Sequence, residues 1–337
     1  MQTRSQSGID ESKSEAMLRF LVRRLLFAVL LVIAVSSGAL LLTRVAPGDV
    51  TANLGAFAPP DEVARTRARF DLDRSPVAQW GGWALRASRF DFGDSFLYNR
   101  PVGALIRSAA VNTAILAVAA LALATLVGIP LGILTGSRSG VLPAAVRGIS
   151  LICLSVPPLL TSLFLVFLAS RTGWLPPGGM TSVDAIDASW SAWMLDVARH
   201  LPLPALALAL PLAATFERLQ AQAMSETIQQ PFVVAAMARG VGWRQLLVDH
   251  AWRASLRSMC AIYGLAIGAL LSGSFIVEYV TAWPGLGRLM YEALRARDIY
   301  LIAGCAAMGG VFLAFGSVIA DLLLFAADPR VREGHAA

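Results

Sequence analysis

Charge is scarce in this chain: Asp, Glu, Lys and Arg make up only 15% of its 337 residues, against roughly 25% in a typical soluble domain. Lysine is nearly absent, with Lys13 the only one, and histidine and cysteine number three each. Each scarcity excludes a class of chemistry. A phosphate-binding P-loop needs Gly-Lys followed by Ser or Thr; Lys13 follows Ser12, so the chain has no Walker ATPase of its own. His200, His250 and His335 are scattered and form no His-Glu-x-x-His. Cys153, Cys260 and Cys305 all fall inside apolar runs, where they read as packing residues and not as a disulfide or zinc framework. Gly148-Ile-Ser150-Leu resembles the nucleophile stretch of a membrane serine protease, but no base is evident at its depth; small residues at a helix interface explain it better. The net charge of +6 comes without a basic patch interleaved with aromatics, so nucleic acid is not an expected partner.

What is abundant is apolar sequence: 56% of the residues are hydrophobic, gathered into blocks almost free of ionisable groups. Leu25–Thr43, Ala109–Ser137, Gly148–Ser170, Ser258–Val277 and Ile299–Ala320 each approach or exceed the ~20 residues a helix needs to cross a bilayer. Leu201–Phe216 is shorter and carries Pro202, Pro204 and Pro211, yet tilt and apolar flanks allow it to span. The expectation is an all-α polytopic membrane protein with about six transmembrane helices. The first block is too long for a signal h-region and is followed by more spans, so it reads as a retained helix. Basic residues set the orientation. Apart from Arg44–Arg107, a loop at the length where charge stops governing insertion, 14 Lys and Arg lie on one side against 5 on the other. The richer side carries both termini, which are therefore expected in the cytoplasm.

The chain divides into a polar flexible tail over 1–16, a first span over 17–43 and an external subdomain over 44–106. A transmembrane unit over 107–328 includes a cytoplasmic loop at 224–257, and a tail follows at 329–337. Met17 is an alternative start. Within the external subdomain Pro60, Asp61 and Glu62 open a helix, and Trp80, Trp83, Phe90, Phe92 and Phe96 argue for order. The cytoplasmic loop has helical periodicity on both sides of Gly240-Val-Gly242. Phe232, Val233, Ala236 and Met237 are expected on one face, and Trp243, Leu246, Leu247 and His250 on the next. Two short helices joined at a glycine turn would form a lever suited to a soluble partner, since glycine permits the reversal.

Deep ionisable residues are few. Asp321 lies nearest the middle of a span but reads as an interfacial carboxylate near a helix end, and Glu217 flanks a span. Asn112, Ser272, Ser274 and Glu278 are the polar residues placed to line a pathway, with helix–helix hydrogen bonding as the competing reading. Without deep carboxylates or paired broken spans, an ion-gradient-driven secondary transporter is the weaker alternative.

Several stretches carry a family resemblance. They are Met17-Leu-Arg-Phe-Leu-Val-Arg-Arg, Ala46-Pro-Gly-Asp49, Asp91-Phe-Gly-Asp-Ser95 with Arg100-Pro-Val102, and Ser272-Gly-Ser-Phe-Ile-Val-Glu-Tyr-Val-Thr-Ala-Trp-Pro-Gly-Leu-Gly-Arg288 with Arg297-Asp298. The last is Asp328-Pro-Arg-Val-Arg332. In this order, over roughly 17–333, they resemble the permease subunits of binding-protein-dependent ABC importers of the dipeptide, oligopeptide and nickel branch. That family's coupling motif falls on Ala235, Ala236 and Gly240, within a loop that also holds Phe232, Arg239 and Gly242. Its Glu is replaced by Val234, and Arg257-Ser258 stands where the branch has Leu-Pro. The resemblance implies a type I importer fold in a bacterial inner membrane. It implies a second homologous permease, two ABC ATPase subunits that hold ATP and Mg, and an extracytoplasmic solute-binding protein. The chain itself would hold no cofactor or metal and would not be an enzyme. Peptide is the implied solute, with a nickel chelate or glutathione as alternatives.

Overall fold

The computed structural model describes residues 3–45, 51, 59–185 and 188–327. Helices follow in the order α1 (Thr3–Val45), α2 (Pro60–Arg69), α3 (Pro76–Ala87), α4 (Val102–Ser137), α5 (Val141–Ser155), α6 (Pro158–Thr172), α7 (Trp190–His200), α8 (Pro202–Ile228), α9 (Pro231–Ala238), α10 (Trp243–Gln245), α11 (Arg253–Val280), α12 (Leu286–Ala296) and α13 (Ile299–Ala327). A π-helical stretch, Leu246–Trp252, joins α10 to α11. Among the described residues no strand forms beyond one isolated bridge between Asp94 and Pro101. Helix starts follow the prolines. Helices α2, α3, α6, α8 and α9 all open on Pro in the first turn, where its missing N–H costs nothing and its fixed φ suits the helix.

Among the described residues three helical stretches are long and apolar enough to cross a membrane by themselves: Val22–Thr43, Val102–Ser137 and Ile299–Ile319. Helix α11, 28 residues long, carries the apolar run Ser258–Val277. Two expectations need correction here. The run Gly148–Ser170 is not one span: α5 and α6 meet at an angle of 102°, because Pro157 and Pro158 remove consecutive donors and force the preceding residue out of the helical region. The second bent pair is α7 with α8, at 42°. Broken apolar helices are therefore present where none were expected. In α8, Pro204 lies in the opening turns and only Pro211 is internal, so the helix runs well past the expected Phe216. Residues 3–16, expected as a flexible tail, are the beginning of α1. Once a following span has nucleated a helix, each polar residue adds a hydrogen bond at little further cost.

The packing is organised by two pairs. Helices α4 and α8 run parallel, matched along a glycine stripe. A Cβ on Gly128 would lie 2.5 Å from the carbonyl oxygen of Ala213, and one on Gly132 2.6 Å from the Cβ of Gln220; Gly136 faces the backbone of Ala221 in the same way. Small residues let the two backbones touch, the means by which helices associate where no hydrophobic effect operates between them. Helices α1 and α13 run antiparallel, with Val32 against Gly310 and Arg24 Nη1 donating to Ser317 Oγ at 3.1 Å. The 60–101 segment packs on both pairs. Phe70, Leu72 and Trp83 join Leu40 of α1, Ile106 of α4, Leu289 of α12 and Tyr300 of α13 in one core, and Trp80 Nε1 donates to Ser37 Oγ at 2.7 Å. Since α4 follows this segment and α9 follows the parallel α8, the 60–101 segment and α9 stand at opposite ends of the bundle.

Candidate functional site

At the end that carries the 60–101 segment, a buried carboxylate organises the turn between α11 and α12. Glu278 is fully buried. Its Oε1 accepts from Thr113 Oγ1 at 2.7 Å, and its Oε2 accepts from the backbone N–H groups of Gly287 at 2.7 Å and Arg288 at 3.3 Å. Thr113 Oγ1 in turn accepts from the N–H of Leu286 at 2.7 Å, and Ser274 hydrogen-bonds the same carboxylate. The carboxylate thus caps the first turn of α12, whose free N–H groups and positive dipole end favour an anion. Gly285 is required by closeness, since any Cβ there would overlap the Glu278 carboxyl group. Of the pathway candidates, Glu278 and Ser274 are therefore spent on an internal cap. The side chain of Ser272 lies outside the described residues, as do the Ala46–Asp49 and Asp328–Arg332 motifs. Thr113, without which the cap is incomplete, was missed; its only signal is a hydroxyl one residue after Asn112.

A second acid holds the neighbouring loop. Asp298 is buried; its Oδ2 accepts from Ser95 Oγ at 2.6 Å and from the N–H of Leu97 at 3.1 Å, while its Oδ1 accepts from the N–H of Leu301 at 3.2 Å. It caps α13 and clamps the 95–98 turn at once, which joins the Asp91–Ser95 and Arg297–Asp298 motifs across some two hundred residues of chain.

Asn112 does line an open space. A cleft of about 330 Å³ lies between α4 and α12, with Tyr98, Arg100, Ser108, Asn112, Arg288 and Glu292 as its polar lining. Glu292 accepts from the Tyr98 phenol and, at 2.9 Å, from Arg288 Nε. Burial, and next the bond to Glu292, push the Tyr98 phenol up to about 12, so it stays protonated and donating at neutral pH.

At the opposite end, α9 stops in a Schellman motif. The N–H of Gly240 donates to Met237 O at 2.9 Å and that of Val241 to Ala236 O at 3.2 Å, with Gly240 at φ +84°, a conformation that glycine adopts freely. Val241 completes the motif by packing on a small core of Val233, Ala236 and Leu246. This accounts for the spacing of Ala236 and Gly240. The face assignment needs correction: Val233 and Ala236 point inward, whereas Phe232, Val234 and Met237 are 47%, 49% and 38% exposed. Positions 232 and 237 lie on the flanks of the buried stripe, and the three-residue core is too narrow to cover them. Ala235, Arg239 and Gly242 are exposed as well. The second arm is not a separate short helix either; α10 passes through the π-helical stretch into α11 without a break. Of its expected face only Leu246 is buried.

Residues 128–333 match the family described as binding-protein-dependent transport system inner membrane component. The chain is 33% identical over 319 residues to a protein of Brucella abortus named as a peptide transport system permease. That alignment covers 94% of this chain and 99% of the relative. It is 30% identical over 326 residues to the oligopeptide transport system permease protein OppB of Mycobacterium bovis, and 28% identical over 319 residues to the oligopeptide transport system permease protein AppB of Bacillus subtilis. Both alignments have the same coverage as the first.

Proposed function

Because this chain belongs to the binding-protein-dependent transport system inner membrane components, we propose that it forms half of the pathway of an ATP-driven importer of short peptides. A second, related permease supplies the other half. Two separate ATPase subunits bind ATP and Mg and carry out hydrolysis at the cytoplasmic end, where α9, the start of α1 and the end of α13 lie. An extracytoplasmic solute-binding protein delivers solute to the end that carries the 60–101 segment. Peptide is favoured over a nickel chelate or glutathione by the names of the relatives.

The observation that carries this reading is the form of α9. It is a short helix fixed by Val233, Ala236 and Leu246 on one side, with Val234 bare on the opposite side and Phe232 and Met237 bare on the flanks. A rigid apolar projection of this kind fits a groove on a soluble partner. Val234, where the resemblance places the family's Glu, gives the docking face an apolar contact. ATP binding shifts the balance only through its different affinities for the two states of the ATPase pair, and α9 passes that bias to α8 and, through the π-helical stretch, to α11.

Two measurements test the proposal. Co-purification of the tagged chain with mass spectrometry is expected to bring down a second permease and ATPase subunits. In the reconstituted complex, Gly240→Val is expected to uncouple ATP hydrolysis from uptake. Space around the glycine is open, so the penalty comes from the backbone, on the order of 1–2 kcal/mol, and Gly240→Asn retains most transport because Asn tolerates this region. A chain that purifies alone and takes up solute along an ion gradient would sink the importer reading.

A further inference from the structure

The cleft between α4 and α12 has lining chemistry that neither the Glu278 cap nor α9 uses. We infer that it binds the C-terminal carboxylate of a short peptide, with Arg100 as the anchor; the inference rests on the peptide-importer reading. Its volume of about 330 Å³ is at the small end of the ~300–1,000 Å³ common among small-molecule sites.

The charges in the cleft are not equivalent. Glu292 is engaged by Tyr98 and Arg288, and Arg288 also donates from Nη1 to Ala282 O at 2.7 Å. These three side chains neutralise one another. Arg100 is exposed, and its guanidinium has no hydrogen-bond or ion-pair partner among the described residues. One positive charge is left over, carried by the side chain whose planar fork matches a carboxylate in a bidentate way.

Farther along α4 the lining is neutral. Ser108 and Asn112 share one face at i and i+4. Asn112 Nδ2 donates to Pro284 O at 2.9 Å, which leaves its Oδ1 turned to acceptor work, and Ala104, Leu105 and Leu289 supply apolar wall. From Val102 to Asn112 the helix rises ~15 Å, the length of about four extended residues. A peptide laid along α4 with its carboxylate on Arg100 sets its backbone N–H groups opposite the Ser108 hydroxyl and Asn112 Oδ1. An inorganic anion would use Arg100 alone and leave this length, the wall and the acceptors idle.

The test is equilibrium binding of radiolabelled L-alanyl-L-alanine to the permease–ATPase complex in nanodiscs, without the solute-binding protein. The comparison ligand is L-alanyl-L-alanine amide. The wild-type complex is expected to bind the free acid about tenfold more tightly than the amide, the scale of one charge-assisted pair. Arg100→Gln removes that preference, bringing acid binding down to that of the amide, and Arg100→Lys restores part of it. Equal binding of acid and amide by the wild type overturns the inference. So does an unchanged preference in Arg100→Gln, or competition by acetate as effective as that by the dipeptide, which would mark an anion site only. Peptide uptake by the complete system with its binding protein separates the two levels. Intact uptake alongside any of those results removes the cleft assignment alone, whereas absent uptake of every peptide removes the importer reading with it.

Discussion

Glu278 illustrates how an apolar helix keeps a carboxyl group. Every lone pair that matters is taken, by Thr113, Gly287, Arg288 and Ser274, so the acid is retained as a cap. Glu278→Ala leaves those donors buried without an acceptor, at ~1–3 kcal/mol each. The expected outcome is a complex destabilised by about 3 kcal/mol or more, read as a lowered melting temperature in detergent. Glu278→Gln, which keeps one acceptor oxygen, loses less. In the sequence this acid reads as a pathway candidate, and its role as a cap was not legible. Its partners on α12 come within reach only because the chain reverses at Ala282, a non-glycine residue at φ +55° with no glycine to flag it. Gly240 was legible for the opposite reason: its φ of +84° demands what only glycine gives cheaply, so residue type and conformation announce each other.

The long apolar helices were plain from run length, whereas their shape was not. The run Gly148–Ser170 has the composition of one span and the geometry of two rods at 102°, and the decisive Pro157-Pro158 pair is outweighed by apolar neighbours in any averaged reading. The α4–α8 seam was equally visible and equally missed, because Gly128, Gly132 and Gly136 recur every fourth residue, the repeat that puts small residues on one face. Adding bulk here is costly. Gly132→Val drives a branched side chain into Gln220 and the Glu217 carbonyl, and overpacking of this sort costs ~1–3 kcal/mol or more. The expected outcome is loss of the folded complex, seen as aggregation in size-exclusion chromatography, with Gly132→Ala intermediate. A seam this tight makes α4 and α8 one body.

Across the whole molecule, contacts distant in sequence tie the 60–101 segment to the last two helices. Asp298 alone bonds Ser95, Leu97 and Leu301. Asp298→Ala is expected to release that segment, so limited proteolysis should cut within 60–101 at least several times faster while cleavage near α9 stays unchanged. Equal cutting in variant and wild type would show that Phe70, Trp83 and Tyr300 suffice to hold it. The pairing of α1 with α13 has a consequence in time. Helix α1 leaves the ribosome long before its partner α13 emerges. From Val45 to Ile299, at ~5–20 residues per second, the wait is on the order of ten to fifty seconds. Throughout that interval one flank of α1 has lipid or a chaperone for company, and a nascent chain cut short before Ile299 carries its unmatched flank as a mark by which quality control can find it.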